Sequence, residues 1–308
     1  MTKVWIVRAG DGATVGDIVR KAHADESAIA DGRVFVGKKR ATAATQPVKV
    51  GDTVRVGAAA SAAPPIEVLF QRAGVVACIK PAGLPTVPDH AGAAHSLVAL
   101  VARQIGARVE ALRITSRLDR EVSGVVLFAL DASAEEKLRA ARAAGTYRRR
   151  YVAIAAGARG ADAGAAGARG VDASASAGEW SAPIGRAKDP LLRAVGGADA
   201  KESLTRWRVV ATGEGTLLLA VEPETGRTHQ IRVHASHAGW PLLGDRDYGG
   251  PTRLTLANGA IVAPSRIALH AARVEVAGFV AEAPIPRELR DLWRACGGHD
   301  DAWLAACT

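Results

Sequence analysis

The stretch Arg117-Leu118-Asp119-Arg120-Glu121-Val122-Ser123-Gly124 sets a carboxylate between two arginines and runs directly into the apolar segment Val125 to Leu130. Nearby positive charge favours the ionised form of Asp119, and the apolar side limits water. Those two conditions make a carboxylate useful as a nucleophile or a base. The same residues also describe an ordinary surface network of arginines and carboxylates. A second concentration, Glu224 to His234, carries guanidinium, hydroxyl, imidazole and amide on successive residues, so Arg227, Thr228, His229 and Gln230 are candidate substrate contacts. If extended, this segment sends Thr228, Gln230 and Arg232 to one side; a helix fits it equally, and a polar strand edge is the plainer reading. His229, His234 and His237 raise the question of a metal. The spacing HExxH is missing, no carboxylate falls into a ligand pattern, and the intervening arginine repels a cation, so no metal is expected. A third segment, Tyr147 to Ile154, brackets three arginines with tyrosines. It is suited to gripping phosphate or stacking a base, or equally to a strand with a basic face.

The elements that must position these residues are legible in outline. Val75 to Ile79 has the character of a buried strand and ends in Lys80-Pro81-Ala82-Gly83-Leu84-Pro85, a loop stiffened at both ends by proline. Ser123 to Leu130 is a second strand, followed by a helix over Asp131 to Ala144 with Asp131 or Ser133 as cap and Gly145 as terminator. Trp207 to Val210 and Thr216 to Val221 pair around Gly213-Glu214-Gly215. Residues 157–178, rich in Ala and Gly, are expected to be a surface excursion without a core role. Residues 1–57 form a separate small module: a strand at Val4 to Arg8, a helix capped by Thr14, and strands at 33–36 and 53–56 entered through Asp31-Gly32 and Gly51-Asp52. Residues 58–65 resemble a linker, and residues 66–308 make the core.

Lys and Arg total 40 against 31 Asp and Glu, a net charge of +9 that suits a polyanionic partner. An aromatic share of 4% argues against extensive base stacking as the mode of binding. Cys78, Cys296 and Cys307 are too few and too scattered for a disulfide framework or a thiolate zinc site, which suits a reducing cytoplasm. Met1 to Gly12 has no apolar stretch of signal-peptide length, and the apolar runs are strand-sized, so neither export nor membrane insertion is expected.

Taken in order, these segments resemble the RluA-type family of RNA pseudouridine synthases, within the RsuA/RluA superfamily. The resemblance runs through Lys80 to Gly83, Arg117 to Gly124, Arg149 to Tyr151, Thr225 to His234, Gly239 to Gly249, Leu269 to Ala271 and Ala283-Pro284-Ile285-Pro286. It spans residues 66 to 295, and its strength lies in the ordered set rather than in any one motif. Ser116, Glu121 and Val122 depart from the family's usual histidine before the motif and aspartate-threonine pair after it, which bears on target choice and leaves Asp119 in its setting.

The resemblance implies an α+β fold: a mixed, largely antiparallel sheet with flanking helices and a central RNA cleft bordered by the Lys80 loop and the Tyr151 strand. It implies isomerisation of uridine to pseudouridine in structured RNA, in large-subunit ribosomal RNA first and transfer RNA second. The reaction exchanges nothing with another reagent, so no cofactor is implied. Asp119 matches the essential aspartate, Tyr151 the tyrosine beneath the target base, and Arg232 the basic partner of the aspartate. Arg117 matches the arginine associated with the flipped nucleotide, and it joins Lys80, Arg227, Thr228, His229 and Gln230 as RNA contacts. Residues 1–57 resemble an S4-type RNA-binding module, and a monomer is the simplest expectation. Two other classes compete: a non-catalytic RNA-binding factor, which should lack one of Asp119, Tyr151 and Arg232, and a nucleoside hydrolase, which the basic surplus opposes.

Overall fold

A computed structural model of the protein describes residues 3–24, 27–30, 32–37, 39–57, 65–88, 95–157, 176–276 and 278–307. The chain forms two compact units, one of residues 1–65 with 87–100 and one of residues 66–86 with 101–308. Grouping 87–100 with the first unit is a division that the sequence patterns do not suggest. Most of the expected linker, residues 58–64, and most of the expected excursion, residues 158–175, lie outside the described residues.

The first unit holds β1 (Lys3–Ile6), α1 (Val15–Lys21), α2 (Ser27–Ala30), β2 (Val34–Val36), β3 (Lys39–Arg40) and β4 (Thr53–Val56). Its strands pair in the order β1-β4-β2-β3, all antiparallel. Thr14 begins α1 with a reciprocal cap: its hydroxyl accepts from Asp17 N at 3.3 Å and its own N donates to Asp17 Oδ2 at 3.0 Å. Val15, Ile18 and Val19 then face Val34, Val54 and Val56 in a small aliphatic core.

The second unit begins with β5 (Glu67–Arg72) and β6 (Val75–Lys80); the division between units falls inside α3 (Leu97–Gln104). There follow β7 (Arg113–Ile114), β8 (Ser123–Ala129), α4 (Ala132–Ala143), β9 (Arg148–Ala156), β10 (Ala177–Trp180), β11 (Ile184–Arg186), β12 (Arg193–Val195) and β13 (Ala198–Lys201). The chain continues through β14 (Thr205–Gly213), β15 (Thr216–Pro223), α5 (Gln230–His237), β16 (Leu254–Thr255), β17 (Ile261–Val262), β18 (Leu269–Val276), β19 (Phe279–Glu282), α6 (Arg287–Ala295) and α7 (Ala302–Cys307). The main sheet runs β10-β14-β15-β9-β18-β8-β6-β5, with β19 on β18 and β7 on β8. It is mixed and mostly antiparallel, as the α+β expectation requires; among its described pairs β8 and β18 run parallel.

The continuous apolar run of β8 is explained by burial on both faces. Val125, Leu127 and Ala129 pack with Ala134 and Leu138 of α4, so strand alternation sends Val126 and Phe128, also fully buried, to the other side. Asp131 caps α4 by accepting from Ala134 N, and Gly145 follows its end at φ +69°. A second cluster packs Val152, Ile154 and Leu218 against Leu289, Trp293 and Trp303 from α6 and α7. The helices α4, α6 and α7 therefore pack on the sheet through its apolar residues.

One glycine sets how those ends meet. Gly124 has φ +121° and lies opposite Ala271 in the parallel pair; a Cβ there would stand 2.2 Å from Ala271 O. No side-chain-bearing residue fits that approach, so the glycine of the Ser123-Gly124 motif allows β8 to enter the sheet beside β18. Gly124 lies five residues after Asp119, so this approach helps to fix where that carboxylate emerges.

Candidate active site

Asp119 lies in the turn before β8, closed by Val122 N donating to Asp119 O at 3.1 Å. Its neighbours are clamped from both sides. Thr86 Oγ1, buried, donates to Leu118 O at 2.8 Å and accepts from Leu118 N at 3.1 Å. On the other side Arg120 O accepts from Lys80 Nζ at 3.0 Å and from Gly83 N at 2.8 Å. The carboxylate itself remains 27% exposed.

Arg232 reaches it from α5. Nε and Nη2 donate to the two oxygens of Asp245, each at 2.7 Å; Nη2 also donates to Asp247 Oδ2 at 2.8 Å, and Nη1 donates to Asp119 Oδ2 at 3.1 Å. Asp245 is fully buried, and the planar fork leaves Arg232 one direction in which to present its remaining face. Burial opposes the Arg232 charge, but Asp245, Asp119 and Asp247 outweigh it and hold the guanidinium above its ordinary range. The Arg232 guanidinium also lies over the Tyr248 ring, 4.8 Å from its centroid.

Segment 225–234 is not extended. Gln230 begins α5, and its side chain shapes the loop before it. Oε1 accepts from Thr225 Oγ1 at 2.8 Å and Arg227 N at 2.9 Å, while Nε2 donates to Leu204 O and Thr205 Oγ1, each at 2.9 Å. The reading of Gln230 as an RNA contact is corrected: it is buried, and its amide is used by the scaffold. His229, at the head of α5, takes φ +57° and puts Nε2 3.9 Å from Asp119 Oδ2. Arg117, Arg227 and Thr228 are exposed, with Arg227 Nε and Nη2 donating to Glu202 O at 3.2 and 3.1 Å. His234 spends Nδ1 on Thr205 and Nε2 on Ala182 O.

Tyr151 lies on β9 between Val221 and Ala271 and is 8% exposed. Burial, reinforced by the Asp119 charge, holds its phenol above the ordinary tyrosine range, so it is a neutral apolar surface. Its neighbours Arg149 and Arg150 do not form a phosphate grip: Arg149 Nη2 donates to Pro223 O and Thr225 O, and Arg150 pairs with Glu222.

A family model described as RNA pseudouridylate synthase matches residues 74–237. The chain belongs to the RNA pseudouridine synthases. It is 32% identical over 239 residues, 74% of this chain and 72% of the relative, to an uncharacterized RNA pseudouridine synthase, YhcT, of Bacillus subtilis (strain 168). It is 33% identical over 244 residues, 75% of this chain and 69% of the relative, to ribosomal large subunit pseudouridine synthase D of Xanthomonas campestris pv. campestris. The solved human RNA pseudouridylate synthase domain containing 4 shares the fold at TM-score 0.55 and 20% identity, covering 75% of this chain and 93% of that one. The chain is therefore an isomerase acting on RNA, of the RluA type that its ordered motifs resemble. The match begins at residue 74, so the S4-like reading of residues 1–57 rests on the sequence resemblance alone. Among the described residues no helix is long and apolar enough to cross a membrane.

Two buried polar groups, Lys80 and Ser123, flank the Asp119 turn. Lys80 was expected to touch RNA; instead its ammonium is fully buried and donates to Pro81 O, Leu84 O and Arg120 O at 2.9, 2.6 and 3.0 Å. Burial pulls it down to about 7 against the attraction of Asp119 and Glu121, while three carbonyl acceptors occupy all three protons of the charged form. Behind it, Ser123 Oγ accepts from Arg266 Nη2 at 2.9 Å and faces His270 Nδ1 at 2.8 Å. Burial brings His270 down to about 4, so it folds neutral. Thr86, Asp245, Asp247 and Tyr248 carry much of this site and were not singled out from the sequence. The last three lie within Gly239 to Gly249, where the resemblance was the one available signal.

Lys80→Met removes the donor from Pro81 O and Leu84 O and one of two donors from Arg120 O; it should destabilise the unit by about 3 kcal/mol in urea unfolding. It should also lower turnover at least tenfold while RNA affinity in a filter-binding assay stays unchanged, since Nζ does not reach the surface. A loss of affinity equal to the loss of turnover would restore Lys80 as an RNA contact. His270 gives a pH test. Its proton affinity is lower folded than unfolded, so its stabilising effect is complete above pH 6.5 and is lost as pH falls toward 4, by at most on the order of 3 kcal/mol. Urea midpoints measured between pH 7 and 4 should fall less steeply in His270→Gln than in the parent protein.

Proposed function

We propose that this synthase isomerises a specific uridine in large-subunit ribosomal RNA, with Asp119 as the one indispensable side chain. The observation that carries the role of Asp119 is its 3.1 Å ion pair with Arg232, a guanidinium that cannot turn away because its other edge is locked on buried Asp245. Glycosidic cleavage develops positive charge on the sugar, and an ionised carboxylate held in place by a rigid, half-buried turn stabilises it with little reorganisation.

The target base leaves its stack to reach Asp119, at a cost of a few kcal/mol that phosphate contacts from the basic surface offset. Exposed Arg117, Arg227 and Thr228 line the approach, and the neutral Tyr151 ring supplies an apolar floor for the uracil. Residues 1–57 act as an S4-like RNA-binding module that adds affinity without touching the chemistry. Ribosomal RNA is favoured over transfer RNA because relatives from several bacteria bear the name ribosomal large subunit pseudouridine synthase D. The same setting, in the cytoplasm, suits three thiols that are free cysteines.

Incubation with RNA tritiated at uracil C5 tests the reading. Tritium release supports a synthase, free uracil a hydrolase, and neither product a binding factor. Asp119→Asn should reduce release by at least three orders of magnitude, roughly the value of removing an essential catalytic group, with RNA affinity changed less than about threefold. Mapping pseudouridines in total RNA with and without the protein should assign the lost site to the large subunit; a transfer RNA site would refute the ribosomal assignment.

A further inference from the structure

The 3.9 Å between His229 Nε2 and Asp119 Oδ2 is too long for a hydrogen bond, yet both atoms are held facing one another. His229 Nδ1 lies 2.7 Å from Tyr248 Oη, which in turn accepts from Arg193 N at 3.0 Å. Tyr248 Oη accepts from Arg193 N and keeps its own proton to donate to Nδ1. With Tyr248 as that donor, His229 carries its proton on Nε2, directed at Asp119, and protonation of the ring would leave that Nε2–H in place. Burial holds Tyr248 above the ordinary tyrosine range, so its proton stays on at neutral pH, and burial likewise lowers His229. The backbone is strained to achieve this: φ +57° is a conformation glycine adopts freely and histidine seldom does.

A donor and an acceptor separated in this way accommodate a single atom that accepts from one and donates to the other. An oxygen placed about 2.8 Å from each closes the gap. Within an RNA chain the 3′ and 5′ oxygens of a nucleotide are esterified, so the 2′-hydroxyl is the sugar's one such group, and it lies next to C1′. We propose that His229 donates from Nε2 to the 2′-hydroxyl of the target uridine while that hydroxyl donates to Asp119, so that the pair selects ribose over deoxyribose. The inference rests on the reading that Asp119 faces the sugar of an extruded uridine. Tyr248 and the backbone of Arg193 are positioning groups: they hold the tautomer and do not touch substrate.

The test compares an all-ribose oligonucleotide substrate with one carrying 2′-deoxyuridine at the modified position. The preference is the inhibition constant of the deoxy oligonucleotide divided by the half-saturation concentration of the ribose substrate in single turnover. The parent enzyme should favour ribose by roughly tenfold, the size of one hydrogen bond. His229→Leu should bring the ratio close to one, whereas His229→Gln, whose amide nitrogen reaches a similar point, should retain part of it. A purely structural role would weaken both oligonucleotides equally and leave the ratio unchanged, and that result would overturn the proposal, as would a parent enzyme with no preference. If the ratio survives in His229→Leu while the penalty for 3-methyluridine disappears, His229 faces the uracil imide edge and the proposal fails. Tritium release by the parent enzyme from the ribose substrate is scored separately, so failure of the synthase reading is distinguishable from failure of this one.

Discussion

A single buried guanidinium organises this site. Arg232 spends two of its donors on the fully buried Asp245 and thereby loses the freedom to turn, and what remains is a donor fixed at 3.1 Å from Asp119. Buried arginine–carboxylate pairs are poor contributors to net stability, because desolvation of both charges offsets most of their attraction; their value lies in direction. Removing either partner strands the other charge in a dry interior. The cost of that arrangement is accepted where a carboxylate must be ionised, aimed and partly exposed at once.

The rest of the second unit serves that geometry. Thr86, Lys80 and Gly83 grip the peptides on either side of Asp119 rather than the carboxylate itself, so the backbone is held while the carboxylate oxygens stay partly open. Gly124 lets β8 approach β18 to a distance that no Cβ tolerates, which couples the Asp119 turn to the centre of the sheet. Gln230 fixes the first turn of α5, from which Arg232 projects. Three stretches far apart in sequence are thus joined through backbone carbonyls and amides, a rigid means of holding side chains to catalytic tolerance.

Much of the scaffold was legible from residue patterns. The apolar runs became β6, β8 and β15, Asp131 and Thr14 capped the helices that follow them, and the Gly213-Glu214-Gly215 turn joined β14 to β15. The conformation around Gln230 was not, because a donor-rich segment has no apolar period to separate strand from helix. Lys80 and Gln230 were misjudged for a related physical reason. A polar side chain in sequence gives no sign of whether its partner is substrate or the protein itself, and in both residues the partners are backbone groups or threonine hydroxyls. Asp245, Asp247 and Tyr248 resemble an ordinary polar turn until folding brings them 13 to 16 residues back along the chain to Arg232. The pairing of Asp119 with Arg232 came from family resemblance, since no local pattern links residues 113 positions apart.

The most direct test of the account is a crystal structure of the enzyme bound to an oligoribonucleotide that carries 5-fluorouridine at the modified position. The expected result is an extruded nucleotide whose sugar C1′ lies within roughly 3.5 Å of an Asp119 oxygen, with Arg232 still paired to that carboxylate and to Asp245. A nucleotide that stays stacked in the RNA, or one whose sugar faces a different residue while Asp119 points away, would contradict it.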